Sequence, residues 1–391
     1  MGVLRMKQVN RILSTYTADV SGVCSALYEL GGMTVMHDAS GCNSTYNTHD
    51  EPRWYDMPSM VYISALSEVE ALMGDDSRLV ADVVSAASQL HPRFIALCGT
   101  PIPRLMGTDL PGLARLIEKR TGIPSVGFST SGTHSYLLGA SKAMKWVAER
   151  FCKANLTPDR ELSVNLLGVT PLDFSVTGTV EALRQLLEKN DIAVRSCWAM
   201  GSSWEELMEA GRAQVNLVLS SAGLETAKTL HSRYGTPWVT GIPMGEALQK
   251  KWLEAIRTAA CTQENQCPFS PTKPNGKSAL IIGEAVWASS MREALALTTG
   301  QSAQVLCPLE LDGEALAPWD GRTTDENEIA ARIREAPLVI ADPIYQHLCP
   351  PDIPFVRFPH EGYSGRIWRK EIPVFVGDDW DRWWQTACPA P

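Results

Sequence analysis

Short apolar runs alternate with segments of helical periodicity along almost the whole chain. A run that must be buried on both faces, followed by an amphipathic helix, is the pattern of parallel β-α-β units. The expected fold class is therefore α/β. At roughly 100–200 residues per domain, 391 residues leave room for two to four such units, and three blocks are discernible. In the first, Thr34–His37, Arg93–Cys98 and Ser125–Phe128 read as strands. Glu68–Gln89 reads as helical with an interruption near Gly74-Asp75-Asp76, and Gly122 stands near the C-cap of a helix over Gly112–Arg120. The second block places strands at Ser163–Val169, Ile192–Ser196 and Val215–Ser220. A Pro-containing loop, Thr262–Lys277, leads to a third with strands at Ser278–Gly283, Ala303–Cys307, Leu338–Ala341 and Phe355–Phe358. The expected division is 1–158, 159–262 and 275–376, each a Rossmann-like parallel-sheet domain, followed by a Trp-rich acidic tail, 377–391.

Composition excludes some functions. The formal net charge is -9, and no run of Lys and Arg offers the basic stripe that a nucleic-acid binder needs. No apolar stretch approaches the roughly 18 residues of a membrane span. The first residues lack the apolar core of a secretory signal, so a cytoplasmic location is expected. In a reducing compartment the ten cysteines are not expected to form a disulfide framework. Some must pack as buried hydrophobes, and the others are candidate metal or cluster ligands.

Three cysteines stand in distinctive places. Cys42 follows the first strand in Asp38-Ala39-Ser40-Gly41-Cys42, and Cys98 ends the strand Arg93–Cys98. Open α/β sheets gather ligands beyond the carboxyl ends of their strands. Cys24 follows Ser21-Gly22 near an expected helix N-terminus, where the helix dipole favours a thiolate. Thiolates hold iron–sulfur clusters, but buried cysteine is common and these spacings form no compact ligand motif. Cys152 and Cys197 sit in apolar surroundings and read as structural, as does Cys307, which ends a strand.

Five stretches, in order, carry a family resemblance: His37-Asp38-Ala39-Ser40-Gly41-Cys42, Leu66–Asp76, Cys98–Leu110, Gly127–His134 and Tyr234-Gly235-Thr236-Pro237-Trp238. Together the chain resembles the nitrogenase component 1 family, which includes dinitrogenase subunits, cofactor-assembly scaffolds, and the dark protochlorophyllide and nickel-sirohydrochlorin reductases. The resemblance implies three α/β domains of that type. It also implies an iron–sulfur cluster, four-iron or P-type, held by Cys24, Cys42 and Cys98 at the interface of a homodimer or of a heterodimer with a related subunit. The implied electron source is an ATP-dependent, nitrogenase reductase-like iron protein. Ser129 lies near the matching loop and reads as an ordinary loop hydroxyl.

Catalytic dinitrogenase subunits anchor a second metal cofactor through a Cys and a His. The stretch matching the strand with that Cys carries Ser220 and Ser221 instead, which counts against dinitrogen as substrate. Phe358–Gly365 resembles the His-containing loop, making His360 a candidate cofactor ligand or acid–base group; a histidine bonded to backbone is the plain alternative. Arg366 and Arg369 are candidates for an anionic group. His37 and His49 flank the Cys42 turn, with His37 read as structural, and Asp50–Trp54 is a candidate contact for a docking reductase. There is no Walker loop, nucleophile elbow, His-Glu-x-x-His motif or dinucleotide fingerprint. The reading is thus an electron-accepting oxidoreductase subunit with a substrate, second metal cofactor or tetrapyrrole between its domains. The alternatives are an assembly scaffold of the same fold and a metal-chelate-binding protein.

Overall fold

The computed structural model describes residues 10–41, 43 and 51–387. Three separate parallel sheets appear in chain order. The first contains β1 (Met33–His37), β2 (Met60–Ile63), β3 (Ile95–Gly99) and β4 (Ser125–Phe128), ordered β2-β1-β3-β4. The second contains β5 (Ser163–Leu167), β6 (Ala193–Cys197), β7 (Val215–Val218) and β8 (Trp238–Thr240), ordered β6-β5-β7-β8. The third contains β9 (Ala279–Ile282), β10 (Ala303–Cys307), β11 (Gly321–Arg322), β12 (Val339–Ala341) and β13 (Phe355–Arg357), ordered β11-β10-β9-β12-β13. Every residue of β1, β3, β5, β7, β9 and β12 is buried. Helices cover both faces of these strands, so an uninterrupted apolar run replaces the alternation of a half-exposed sheet. In each sheet the strand order reverses beside the first strand, at β1/β3, β5/β7 and β9/β12. Loops from the carboxyl ends of such neighbours part to opposite sides and leave a crevice.

Local signals explain several boundaries. Ser67 and Glu70 form a reciprocal capping box that starts Glu68–Met73, and Gly74 ends it in the left-handed conformation. The interruption near Gly74 thereby divides the expected long helix into Glu68–Met73 and Ser77–Leu90. One expectation needs correction. The helix Gly245–Thr262 is missing from the expected elements, although Leu248, Trp252, Ile256 and Ala259 form one buried stripe. Within the Trp-rich tail, Asp378–Ala387 is a helix packed on Gly245–Thr262, with Trp380 and Trp384 buried and their rings stacked at 6.0 Å.

The helices Asp19–Leu27 and Tyr136–Phe151 cross in backbone contact. A Cβ on Gly22 would lie 1.9 Å from the Tyr136 carbonyl oxygen, and one on Gly139 would lie 1.8 Å from that of Asp19. Each helix therefore offers a missing side chain to the other's backbone. Gly139→Ala should destabilise the protein by roughly 1–3 kcal/mol, the usual cost of overpacking a closed interior. Denaturant unfolding of the purified chain measures this.

Candidate functional site

Cys98 lies near the carboxyl end of β3, at the crevice between β1 and β3. Cys24 is the sixth residue of Asp19–Leu27, and its thiol neighbours that of Cys98. Both side chains are fully buried. Burial, and next the neighbouring Cys24 thiol, push the Cys98 thiol well above its ordinary range. The expected helix N-terminus at Cys24 is wrong. The helix begins at Asp19, which occupies the position where the dipole acts, so that dipole does not single out Cys24. Asp19 instead accepts hydrogen bonds from the Ser131 and Gly132 amides at 3.0 and 2.8 Å, tying the helix start to the loop after β4. Cys42, the third expected ligand, and His49 lie outside the described residues.

The remaining candidates near the first sheet are structural. His37 is buried with both ring nitrogens engaged, by Ser64 at 2.8 Å and Asp76 at 3.0 Å. Arg53 and Glu51 are buried, so these side chains do not form an exposed docking contact. The Arg53 guanidinium reaches Glu51 (2.6 Å), Glu29 (2.8 Å) and the carbonyl oxygens of Ser25 (2.8 Å) and Ala199 (2.6 Å), bracing the first unit against the second. Ser129 is exposed. Cys152, Cys197 and Cys307 are buried, and burial raises each thiol to about 12.

A second polar centre lies where the three units meet, built from carboxyl-end loops. Asp173 follows β5, Ser220 and Ser221 follow β7, Glu284 follows β9 and His360 follows β13. Tyr136 enters from the first unit and donates to Asp173 Oδ1 at 2.5 Å. His360 is pinned by its amide, which donates to Asp342 at 2.8 Å. Its Nδ1 accepts from the Gly362 amide at 3.2 Å, so the ring proton resides on Nε2, 3.3 Å from Asp173 Oδ1. Ser220 donates to the Gly168 carbonyl at 2.9 Å, and the Ser221 hydroxyl donates to Glu284. Glu284 also accepts the Ser221, Val286 and Trp287 amides, each at 3.0 Å. Arg369 is occupied by Glu361, with its Nε 2.9 Å from each carboxylate oxygen, so it does not offer a free anion site; Arg366 is exposed.

Beside this centre is a cavity of about 800 Å³, walled by Tyr16, Thr133, His134, Ser135, Pro308 and Glu310 among others. That is within the size range of small-molecule sites. Among the described residues His360 does not line it; the histidine that does is His134, 3.6 Å from Glu310. Burial pushes the Glu310 carboxyl up, but the Ser135 hydroxyl and amide more than offset this and hold it below its ordinary value. Sequence reading missed His134, Glu310, Tyr136, Asp173 and Glu284. The last two stand just beyond strand ends, a signal it used for Cys98 and not for carboxylates.

The donor chemistry sorts the two centres. Two adjoining thiols from separate elements fit an iron–sulfur cluster. The junction does not fit a thiolate-anchored metal cofactor: Ser220 or Ser221 stands where the Cys is expected, and their hydroxyls turn to the Gly168 carbonyl and to Glu284. Among the described residues no group of three or more His, Cys, Asp or Glu is arranged to hold a metal ion. Burial, and next the Asp173 charge, raise Glu284 from its ordinary 4.5 to about 7. The folded state therefore holds this proton more tightly than the unfolded state. The resulting stability is full below pH 4.5 and lost as pH rises towards 7. Glu284→Gln should flatten the wild-type decline in denaturation midpoint across that window. It should also lower stability at pH 5, because an amide turns donors towards backbone donors.

Residues 22–300 match the family model for nitrogenase component 1 type oxidoreductases. A nitrogenase iron-molybdenum cofactor biosynthesis protein NifE of Klebsiella pneumoniae is 26% identical over 46% of this chain and 41% of its own length. A subunit of the light-independent protochlorophyllide reductase of Prosthecochloris aestuarii is 26% identical over 46% of this chain and 34% of its own. The nitrogenase molybdenum-iron protein alpha chain of Clostridium pasteurianum is 24% identical over 46% and 33%. The chain thus spans less than half the length of these curated relatives. A solved structure titled nitrogenase Cp1 at pH 6.5 superposes with a TM-score of 0.67 at 17% identity, covering 99% of this chain and 97% of that one, which shows a shared fold. Three parallel sheets in this arrangement and the match over residues 22–300 place the chain in the nitrogenase component 1 type oxidoreductase family.

Proposed function

We propose that this chain is the iron–sulfur subunit of a nitrogenase-like reductase. In this reading Cys24 and Cys98, with Cys42, hold a four-iron or P-type cluster at the interface with a second copy or a related subunit. The neighbouring, fully buried thiols of Cys24 and Cys98 carry the proposal, because two distant segments bring soft donors together at a strand-end crevice. A cluster bound there supplies one-electron storage at low potential. The chain's own part is to fix the thiols through the helix crossing and exclude water around them. An ATP-dependent, nitrogenase reductase-like iron protein is the proposed electron donor. The cavity beside His134 and Glu310 is the proposed place for the substrate, and Ser220 weighs against dinitrogen.

A second reading, a cofactor-assembly scaffold, is favoured by the hydroxyl at position 220 and by the similarity to NifE. Turnover of a screened substrate with a reductase partner separates the two, since a scaffold shows none. The first test is purification without oxygen, with iron and sulfide counted per chain and the reduced-state EPR spectrum recorded. The expected result is about two irons per chain for one four-iron cluster per dimer, or about four for a P-type cluster. Cys24→Ala, Cys98→Ala and Cys42→Ala should each remove most of that iron and the EPR signal. Iron content indifferent to all three substitutions would overturn the proposal.

A further inference from the structure

We infer that the junction of the three sheets is a hydrogen-bonded lock around ordered water and holds no metal cofactor of its own. The inference concerns a different centre from the thiol pair and does not require that pair to bind iron.

Each group able to anchor a metal there has other work. Ser220 donates to Gly168, Ser221 donates to Glu284, and Glu284 caps the helix Ala285–Thr299 with both oxygens engaged. The lone pair of His360 Nδ1 takes the Gly362 amide, leaving a protonated Nε2 towards Asp173. A ring in that state has no lone pair left to give a metal. The peptide at Gly362 is closed in as well, since a Cβ there would fall 2.5 Å from the Tyr136 ring.

The buried atoms left over point the same way. Asp173 Oδ2, His360 Nε2, Tyr363 Oη and Trp287 Nε1 have no hydrogen-bond partner among the described residues. His360 packs between Tyr363, at 4.6 Å between ring centroids, and Trp287, at 6.4 Å. An indole nitrogen only donates, a phenol donates readily, and a carboxylate accepts. Buried donors and a buried acceptor left without protein partners call for a small partner that both accepts and donates. Water does this, and buried water typically makes about three such bonds. Tyr136 comes from the first unit, Asp173 from the second and His360 from the third, so the lock joins all three. Tyr136 directly follows His134 and Ser135, and the lock thereby sets the cavity wall.

The test is metal content after anaerobic loading of the full chain with ferrous iron and sulfide. The wild type is compared with Ser220→Cys, with His360→Gln, and with a Cys24→Ala/Cys98→Ala double variant. Ser220→Cys restores a soft donor at the junction with little change of volume, so it remains informative if His360→Gln fails to fold. The expected result is the same iron per chain in Ser220→Cys and His360→Gln as in the wild type. Iron in the double variant should be absent or indifferent to adding His360→Gln. A gain of iron in Ser220→Cys, or a loss of a third or more in folded His360→Gln, would overturn the lock. A wild type without iron sinks the cluster proposal, while the Ser220→Cys comparison still decides this one.

Discussion

The architecture rests on a contact between two backbones. Gly22 and Gly139 let the helices Asp19–Leu27 and Tyr136–Phe151 approach closer than any pair carrying side chains there. Three consequences follow from that crossing. Cys24 is held against Cys98 at the end of β3. Asp19 reaches the amides after β4 and fixes the loop that walls the cavity. Tyr136, at the start of the second helix, extends to Asp173 in the next unit. The thiol pair, the cavity and the inter-unit junction therefore share one mechanical support.

Repetition of one fold has produced three crevices with different chemistry. Each sheet reverses its strand order beside its first strand and opens a crevice at the carboxyl edge. The first unit places thiols there, suited to iron and sulfide. The second and third place Asp173, Ser220, Ser221, Glu284 and His360 there, and these groups bond mainly to one another and to backbone. Buried polar clusters persist when their members are satisfied, and they are costly otherwise. The second kind of crevice is accordingly suited to joining units, while the neighbouring cavity remains open for a ligand.

Much of the strand framework is legible in the sequence because parallel strands covered on both faces must be short apolar runs. Ser125–Phe128 and Ala303–Cys307 have in the fold the bounds that their apolar runs predict. Cys98 is legible because it stands at the end of such a run. The role of His360 is harder to read. Its loop resembles a ligand loop, but its environment depends on Asp173 and Tyr136, which the chain brings from distant positions. Arg53 misleads for the same reason: a charged stretch ordinarily indicates surface, and only tertiary structure supplies the two carboxylates and two carbonyls that bury it. Pairings of this kind leave no periodic trace in sequence.

The central claim is that the helix crossing holds Cys24 beside Cys98 and so makes the proposed cluster site. The direct measurement is the iron and sulfide content of anaerobically purified Gly139→Ala, a variant that keeps every cysteine but forces the helices apart. The account predicts a folded protein whose iron per chain falls well below that of the wild type and whose reduced-state EPR signal is diminished or altered. An iron-loaded wild type and a folded Gly139→Ala with the same iron content and the same spectrum would contradict it.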